Sequence, residues 1–577
     1  MTPLAARRPG EHQQGWLTVS KRVLIAIPHP TPNGDLHLGH LGGPFLSADV
    51  LRRRLQTAGT HVDFVTGSDD FQSYIDLQAV RDRRSTQSVA AESADKIEET
   101  LRLAGMAPDF FLRPSRSLLV QKMMRQALRL LVDRGVIAMT EQELPYCETD
   151  ERYLYEAFIV GRCPYCGSSA AGNVCEECGR PIDCVLVRHP RCALCGAPAT
   201  LRTGRRLTLP TSLLGGQLLE YWQDVQMPAH MRALCIRMAA EGLPELPITH
   251  PDTAGVSPDI PGWADQRITM GLDCAIYFMV SAAMAQSEKG EHGAPRTLND
   301  LCMRWNSYSE IIACFGFDNS YFLSVVFPAI WLALGLRPPS RLVANEFLRL
   351  DGRKFSTTRR HAIWGGEFLG RQDRTAVRAF LAYRRPATER TNFTIGEFER
   401  FRDQILGMEW QGWLDHLQLA VTRDCGGVVP PETQATPDHE RFAVQVNQIV
   451  AYGASGLEAG SFAPELTMRA LIELVRLASS FGKSQSYLVD APGATDTLTT
   501  ARAYELGALG AFCRLAHAIL PDTAEGLAAA LGRAGANLAA LDDGFQLLEP
   551  HVPLKIEQLQ AFWRQPRAIA VQSWDNW

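Results

Sequence analysis

The chain has little lysine, no excess of positive charge and no long apolar run. Seven of its 58 basic residues are lysines and its net charge is −5, which excludes a uniformly basic nucleic-acid-binding protein but not a local basic face. The longest apolar stretch, residues 321–336, contains Pro328 and is short for a membrane span, so we predict a buried helix and no membrane contact. Residues 1–20 are polar and have no leader pattern, so we expect a loose N-terminus and a cytoplasmic protein.

The composition is that of an ordinary globular protein. Apolar residues make up 46% of the 577 residues and charged residues 21%. A chain of this length is expected to form three or four domains.

Cysteines are concentrated in three Cys-x-x-Cys pairs, which account for six of the 14. This pattern favours metal binding in a reducing compartment over disulfides. Two pairs are each followed by glycine and lie eight residues apart, and they predict a closed structural zinc site made by Cys163, Cys166, Cys175 and Cys178.

A third pair, Cys192 and Cys195, predicts a second zinc site that needs two more ligands. Cys147, Cys184 and His189 are the candidates, and the sequence does not choose between them.

Strand-like and helix-like runs alternate at both ends of the first 345 residues, which predicts an α/β fold with a parallel sheet. The cysteine-rich region interrupts this alternation, and periodic helical segments follow it. We therefore predict six segments: a flexible terminus (1–20), a first half of the sheet (21–115), an insertion (116–245), a second half (246–345), a loop and junction (346–400) and a helical bundle (401–577).

The run Pro30-Thr-Pro-Asn-Gly-Asp-Leu-His37-Leu-Gly-His40 lies between a predicted strand, 23–27, and a predicted helix, 46–56. The start of a helix after a strand is a common position for phosphate binding in α/β proteins. Two histidines three residues apart can lie one helical turn apart, and the glycine allows a nucleotide to approach the backbone.

This run resembles the HIGH signature of class I aminoacyl-tRNA synthetases. The later Gly-Ser-Asp69-Asp and the basic loop Gly-Arg353-Lys354-Phe-Ser resemble the methionyl-tRNA synthetase family. The resemblance implies a Rossmann-type sheet split by a zinc-knuckle insertion and followed by an α-helical bundle. It also implies that an amino-acid carboxylate attacks the α-phosphate of ATP, bound with Mg²⁺, to form an aminoacyl-adenylate and pyrophosphate.

The same resemblance assigns roles to individual residues. Asp69 would hold the α-ammonium group of the amino acid, and Asp318 would hold the ribose. The catalytic positions would be His37, His40, Lys354, Ser356 and Thr357. The ATP-binding positions would be Asn33, Gly39, His40, Gly316, Asp318, Arg353 and Lys354.

The second basic position of the loop is Thr357 where the family usually has lysine. Arg353, Arg359 or Arg360 could replace the missing charge. Without a substitute, we expect the activation step to be slow.

The amino-acid pocket departs from the family pattern. The family's aromatic and aliphatic positions are occupied by other residue types here: the tryptophan of its Trp-Leu-Asp-Ala-Pro segment is Gly271, and its Trp-Asp-Ile-Ser-Arg segment ends in His250. Because loss of aromatic walls removes the grip on a thioether, we predict an amino acid other than methionine. The predicted amino-acid-binding positions are His29, Thr31, Asp69, Gly271, Cys274, Ala275, Phe278, Asn319 and Leu323.

The helical region resembles the family's anticodon-binding bundle in position and length. Arg423 matches its recognition arginine, but no asparagine stands beside it, and the tryptophan position falls near Tyr487 or Leu488. Base readout needs stacking and edge hydrogen bonds, so recognition of the anticodon is doubtful.

Three functions follow from these patterns. The first is an enzyme that passes the acyl group to a hydroxyl or N-hydroxyl of a small molecule in a natural-product pathway, as in hydrazine formation. The chain has no His-x-His pattern, so a cupin partner for such a pathway would be a separate protein. The second is a true aminoacyl-tRNA ligase, and the third is an inactive tRNA-binding paralogue.

Overall fold

The structure is a computed structural model that describes residues 21–175, 177–269, 271–355, 361–458, 460, 462–532 and 544–555. Strands and helices alternate in its first part. The strands are β1 (Arg22–Ala26), β2 (His61–Gly67) and β3 (Phe110–Leu112), and the helices are α1 (Leu38–His40), α2 (Leu46–Thr57), α3 (Ser73–Asp82), α4 (Thr86–Leu103) and α5 (Leu118–Asp133).

The cysteine-rich part is mainly antiparallel β structure, followed by two helices. Its strands are β4 (Ala138–Cys147), β5 (Arg152–Tyr153), β6 (Glu156–Arg162), β7 (Ser169–Gly172), β8 (Arg188–Cys192), β9 (Thr200–Pro210), β10 (Glu245–Pro247) and β11 (Thr249–Pro251), and its helices are α6 (Gly215–Asp224) and α7 (Ala229–Glu241).

Alternation returns after this part. The strands are β12 (Gln266–Ile268), β13 (Glu310–Gly316), β14 (Arg341–Asn345), β15 (Leu348–Leu350), β16 (Arg353–Lys354) and β17 (Thr391–Phe393), and the helices are α8 (Leu272–Glu288), α9 (Leu298–Ser307), α10 (Phe327–Ala333), α11 (Gly365–Arg371) and α12 (Arg374–Tyr383).

The central sheet is parallel throughout, with the order β14-β13-β1-β2-β3. Its strands come from both sides of the cysteine-rich part, which confirms the predicted split sheet. The chain leaves β1 towards β2 on one side while β13 lies on the other, so a crevice opens at the carboxyl ends of β1 and β13.

Helices make up the C-terminal part, as predicted. They are α13 (Ile395–Arg400), a π-helical segment (Phe401–Trp410), α14 (Gln411–Cys425), α15 (Pro437–Ser455), α16 (Pro464–Gln485), α17 (Thr495–Ala516) and α18 (Pro521–Ala530). The six predicted segment boundaries themselves stay predictions.

Residues 321–333 form a continuous buried helical segment, as predicted, but its first part, Phe322–Val326, is π-helical and α10 follows it directly. Residues 341–350 form two strands, because β14 pairs with β13 while β15 pairs with β16 and β17.

The core lies on both faces of the central sheet because successive strand side chains point to opposite sides. Val23 and Ile25 belong to a buried cluster that continues through α12 into the C-terminal helices. Leu24 and Ala26 belong to a second cluster with α5, α8 and α10.

One buried guanidinium joins three parts of the molecule. Arg378, on α12, bonds Asp49 of α2 at 2.6 Å and the carbonyl of Ile519, beyond α17, at 2.8 Å. A third bond reaches the carbonyl of Ala104 at 3.2 Å. The C-terminal helices are thereby packed firmly against the sheet. Among the described residues, no helix has the length and apolarity to cross a membrane.

Candidate active site

The two signature histidines close a tight turn at the start of α1. The backbone N–H of His40 donates to Nδ1 of His37 at 3.3 Å, and the N–H of His37 donates to Nδ1 of His40 at 3.3 Å. This reciprocal cap stacks the two rings with their centroids 3.7 Å apart. A side chain at Gly39 would approach the His37 ring to 3.0 Å, so the turn favours glycine there.

The basic loop lies against this turn. Phe355 stacks on His37 with ring centroids 4.9 Å apart, and the N–H of Leu38 donates to the carbonyl of Ile363 at 3.1 Å. The two signature motifs, more than 300 residues apart in the sequence, therefore form one surface. The predicted positions Ser356 and Thr357, and the substitutes Arg359 and Arg360, lie outside the described residues.

Both histidines are neutral near pH 7. Burial and then the nearby charge of Lys354 lower the pKa of His40 to about 4. Burial, His40 and Lys354 hold the pKa of His37 well below its usual value. A neutral imidazole can still donate one N–H to a phosphate oxygen.

Three basic side chains, Arg349, Lys354 and Arg390, line a groove beside the loop. Only Lys354 was predicted from the sequence. Lys354 pairs with Arg349 across the β15–β16 hairpin, and its Nζ lies 4.5 Å from the centre of the Phe347 ring. The groove is lined by Glu177, Phe347, Arg349, Gly352, Lys354 and Arg390. Arg353, also predicted, is exposed in the same hairpin.

The predicted ribose site follows β13, at the opposite side of the crevice from α1. Nδ2 of Asn319 donates to Oδ1 of Asp318 at 3.4 Å. A side chain at Gly316 would come within 2.8 Å of that carboxylate oxygen, which makes glycine the residue that fits there. On the β1 side, the N–H of Asn33 donates to the carbonyl of Thr31 at 2.9 Å, and both residues are half-buried.

Two buried carboxylates meet at the amino-acid end of the crevice. A carboxylate oxygen of Asp69, a carboxylate oxygen of Asp273 and Sγ of Cys274 lie within 4.8 Å of one another. Nε2 of Gln72 donates to Oδ2 of Asp69 at 2.7 Å, and the Cys274 thiol contacts the same oxygen at 3.5 Å. Burial, followed by the charge of Asp273, raises the pKa of Asp69 well above its usual value.

The start of α8 has a backbone shape that suits only glycine. Gly271 has φ +146°, and Oδ1 of Asp273 accepts the N–H groups of Gly271 at 2.9 Å and Cys274 at 2.7 Å. A side chain at Gly271 would also lie 3.3 Å from Val326. The family's tryptophan therefore has no place in this backbone arrangement. Ala275, one residue past Cys274, is fully buried.

Aromatic rings stack where the family's pocket lies. The His29 ring is stacked on Tyr277 at 5.4 Å and on Phe278 at 6.1 Å. Phe278 also packs against Phe327 at 5.9 Å, and Leu323 is fully buried nearby in the same cluster. Burial lowers the pKa of His29 to about 3, so this ring is neutral. Of these residues, Tyr277 and Phe327 had not been predicted from the sequence.

A buried arginine stands on the strand that pairs with position 250. His250 pairs with Arg267 between β11 and β12, and Arg267 bonds Oδ2 of Asp76 at 2.5 Å and the Tyr155 hydroxyl at 3.3 Å. Arg267 is buried, 2% exposed. Arg267 was not predicted, because strand pairing, and not sequence spacing, brings it beside His250.

The first cysteine cluster has the geometry of a closed metal site. The Sγ atoms of Cys163 and Cys178 lie 3.8 Å apart, and those of Cys166 and Cys175 lie 3.6 Å apart. All four ligand atoms lie within 4.8 Å of one another. Four thiolates in this arrangement suit Zn²⁺.

The second cluster includes Asp150, which was not among the predicted ligands. Sγ of Cys147 lies 3.5 Å from that of Cys195, and Cys192 contacts Oδ2 of Asp150 at 3.0 Å. These four residues form the second metal-type group. The alternative Cys184 donates instead to Asp183 at 3.2 Å. Three thiolates and one carboxylate are also suitable ligands for Zn²⁺.

Comparison with known proteins identifies the class of protein and then the family. Residues 23–409 match the family described as tRNA synthetases class I (M), which is well over half of the chain, so the chain belongs to the methionyl-tRNA synthetase family. The methionine--tRNA ligase of Aeropyrum pernix is 28% identical over 523 residues, 89% of each chain. That of Caldivirga maquilingensis is 28% identical over 448 residues, 77% of this chain and 74% of its own.

Solved structures show the same fold. The methionyl-tRNA synthetase of Mycobacterium tuberculosis in complex with methionyl-adenylate has a TM-score of 0.75 and 18% identity, over 92% of this chain and 98% of its own. The predicted fold class and family are thereby confirmed, and the chain is an ATP-dependent ligase that forms an aminoacyl-adenylate.

Proposed function

We propose that this ligase activates an amino acid other than methionine and transfers it to a hydroxyl or N-hydroxyl group of a small molecule. In the first step, the amino-acid carboxylate attacks the α-phosphate of ATP, a P–O bond forms, and the bond to the β-phosphate breaks to release pyrophosphate. No covalent enzyme intermediate is needed, so positioning and charge stabilisation supply the catalysis.

The nucleotide end has the groups that this step requires. The neutral rings of His37 and His40 donate N–H groups to phosphate oxygens. Lys354 neutralises charge on the departing pyrophosphate, with Arg353 beside it. Asp318 holds the ribose hydroxyls, and Asn33 and Gly39 shape the surface against which the nucleotide lies. Mg²⁺ bound to the triphosphate supplies further charge neutralisation.

The main observation in favour of an amino acid other than methionine is the backbone conformation at Gly271. Its φ of +146° excludes the family's tryptophan. The stacked His29, Tyr277 and Phe278 rings take up space on the same side of the crevice. Asp69 holds the α-ammonium group by an ion pair, so the common part of an amino acid is bound as in the family while the side chain meets a different surface.

The proposed acceptor is supported by the weak candidate site for an anticodon. Arg423 forms an ion pair with its neighbour Asp424, with Nε and Oδ1 2.5 Å apart. Tyr487, near the expected tryptophan position, is 89% exposed but lies in a short 3₁₀ turn. A cupin-type enzyme that acts on the product would be a separate protein.

Transfer to tRNA is the second candidate function. It is favoured by the C-terminal helices, since the structural comparison covers 92% of this chain and 98% of a methionyl-tRNA synthetase chain. The inactive paralogue is disfavoured by the intact histidine turn and by Lys354 beside it. The cytoplasmic location stays a prediction.

The two cysteine clusters are proposed to hold structural zinc. Neither leaves an open position for substrate when all four side chains bind the ion. The cluster with Cys178 lies on the chain next to Glu177, which lines the groove beside Lys354. Zinc there would hold this wall of the groove in place.

ATP–pyrophosphate exchange with each of the twenty common amino acids, with and without total tRNA, tests the proposal. We expect exchange with an amino acid other than methionine and no effect of tRNA. Exchange with methionine alone would contradict the proposal and support the methionine--tRNA ligase function. Charging of tRNA with any amino acid would contradict the proposed acceptor.

A further inference from the structure

Hydrogen-bonding side chains recur at successive turns of α8 where this helix passes the amino-acid end of the crevice. Asp273, Tyr277 and Ser281 are each four residues apart, so they lie on one face of the helix, which we name the polar stripe. Oγ of Ser281 lies 3.4 Å from Nε2 of His29, and the Tyr277 ring stacks on the His29 ring at 5.4 Å. The stripe thus faces the end of β1, beside the α-ammonium position.

Two oxygen atoms at this place have no hydrogen-bond partner among the described residues. They are Oη of Tyr277 and Oδ1 of Asp69, whose residues are 0% and 2% exposed. A buried polar atom left without a partner costs about 1–3 kcal/mol. Tyr277 lies one helical turn after Asp273 on α8, and atoms of Asp69 and Asp273 lie within 4.8 Å of each other. Both unpartnered oxygens therefore belong to residues at the same end of the crevice.

The charge of this space matches one cation. Burial raises the pKa values of both Asp69 and Asp273, whose ligand atoms lie within 4.8 Å of each other, so a cation beside them stabilises their charged forms. One α-ammonium group can supply that charge. Among the described residues at this end, no cation is placed to pair with an anionic side chain, because Arg267 is bound to Asp76 and the His29 ring is neutral.

The aromatic residues limit the length of the side chain. Phe278 packs between His29 and Phe327, and Leu323 is fully buried in the same cluster. A long thioether chain would have to displace these contacts. A substrate with a short side chain, its α-ammonium group beside Asp69, can instead form hydrogen bonds with Oη of Tyr277 and Oδ1 of Asp69.

We propose that the polar stripe recognises the amino-acid side chain and selects a short, uncharged side chain that forms hydrogen bonds, with a hydroxyl, thiol or carboxamide group. Tyr277 is the main specificity residue because its hydroxyl gains its only partner from the substrate. This inference rests on the proposed function, since it names the class of amino acid that is activated. A site built to form hydrogen bonds rejects an apolar analogue strongly because its own groups are then left unpaired.

The test compares pairs of amino acids of similar shape in ATP–pyrophosphate exchange with the full-length protein. The pairs are threonine and valine, serine and 2-aminobutyrate, and asparagine and leucine. We expect kcat/KM for the polar member of the best pair to exceed that of its apolar partner by at least about 100-fold. Tyr277→Phe should lower this ratio by about tenfold or more and leave the KM for ATP unchanged.

Two further variants make the result specific. Ser281→Ala should lower the same ratio by a smaller factor, and it tests the stripe if Tyr277→Phe fails to fold. Tyr221→Phe is the matched control, because the Tyr221 hydroxyl is also buried without a partner but lies on α6, outside the crevice. The control should leave the ratio unchanged.

The outcomes separate this inference from the proposed function. Exchange with methionine alone would overturn both. Preference for another apolar amino acid would overturn the polar stripe and leave the proposed function in place. A polar preference that survives in both Tyr277→Phe and Ser281→Ala would overturn the role of the stripe. If no amino acid supports exchange, thermal stabilisation by the same pairs with ATP is measured, and equal stabilisation by both members would overturn the inference.

Discussion

The two ends of the crevice differ in how closely they follow the family pattern. At the nucleotide end, His37, His40 and Phe355 stack in one column, and Lys354 stands beside them. At the amino-acid end, Asp69 is present but the surface around it is rebuilt by Gly271 and Tyr277. This difference supports the proposal that the activation chemistry is retained while the selected amino acid has changed.

The largest expected effect is on the nucleotide end. Lys354→Ala should lower the rate of adenylate formation by about 10²–10³-fold, because a charge that stabilises the departing pyrophosphate is lost. Amino-acid binding, measured by calorimetry in the absence of ATP, should change little. A similar loss of adenylate formation and of amino-acid binding would contradict the prediction that Lys354 acts only at the nucleotide end.

The next effect concerns pH at the amino-acid end. Burial raises the pKa of Glu156 from 4.5 to about 7, and Ser73 donates to its carboxylate at 2.6 Å. A raised carboxyl pKa stabilises the fold below pH 4.5, and this contribution is lost as the pH rises through about 7. Between pH 5 and 8 the wild type should therefore lose up to about 3 kcal/mol relative to Glu156→Gln, which stays neutral.

Thermal unfolding of the wild type and Glu156→Gln at a series of pH values measures this difference. The difference between the two curves should be constant below about pH 4.5, grow between about pH 4.5 and 7, and stay constant above that. Parallel curves over the whole range would show that folding does not shift the pKa of Glu156.

A smaller effect is expected at the start of α8. Gly271→Ala should destabilise the protein by about 1–3 kcal/mol, because a φ of +146° is strained for any residue with a Cβ. Gly293→Ala is the control, since a Cβ there meets nothing within 4 Å and its φ is not in the strained range. Equal unfolding midpoints for the two variants would mean that the backbone at Gly271 relaxes, and tryptophan could then be accommodated.

The smallest effect on activation is expected from the second cysteine cluster. Cys192→Ser should remove one zinc per chain, measured by mass spectrometry of the native protein, and leave the exchange rate nearly unchanged. Cys175→Ser should also remove one zinc but lower the rate, because that cluster adjoins Glu177 of the groove. Equal exchange rates for the two variants would show that the zinc bound by the first cluster does not support the groove beside Lys354.

Local sequence features predicted the histidine turn and the grouping of the cysteines, both of which the structure shows. The histidine turn and the glycine-ended cysteine knuckles depend on contacts within a few residues, so their spacing carries the information. The split sheet followed from the alternation of strand and helix patterns. Arg267, Asp150 and Tyr277 could not be found in this way, because strand pairing, cluster assembly and helix packing bring them to their sites from distant positions.

The helical segment 321–333 illustrates a different limit. Its residues are almost all apolar, so no periodicity distinguishes a regular α-helix from a helix that contains a π-helical part. The functional consequence, the orientation of Leu323 and Phe327 near the crevice, is therefore visible only in three dimensions.

The ion pair of Arg378 with Asp49 bears on what this enzyme could lose during its divergence. A lineage that stopped using tRNA would have no need for anticodon recognition, yet deleting the C-terminal helices would uncover the sheet's own core and remove the Ile519 carbonyl from a buried guanidinium. Selection would then preserve these helices as structural support, and only their outer surface would be free to drift. The presence of the helical bundle alone therefore does not distinguish transfer of the acyl group to tRNA from transfer to a small molecule.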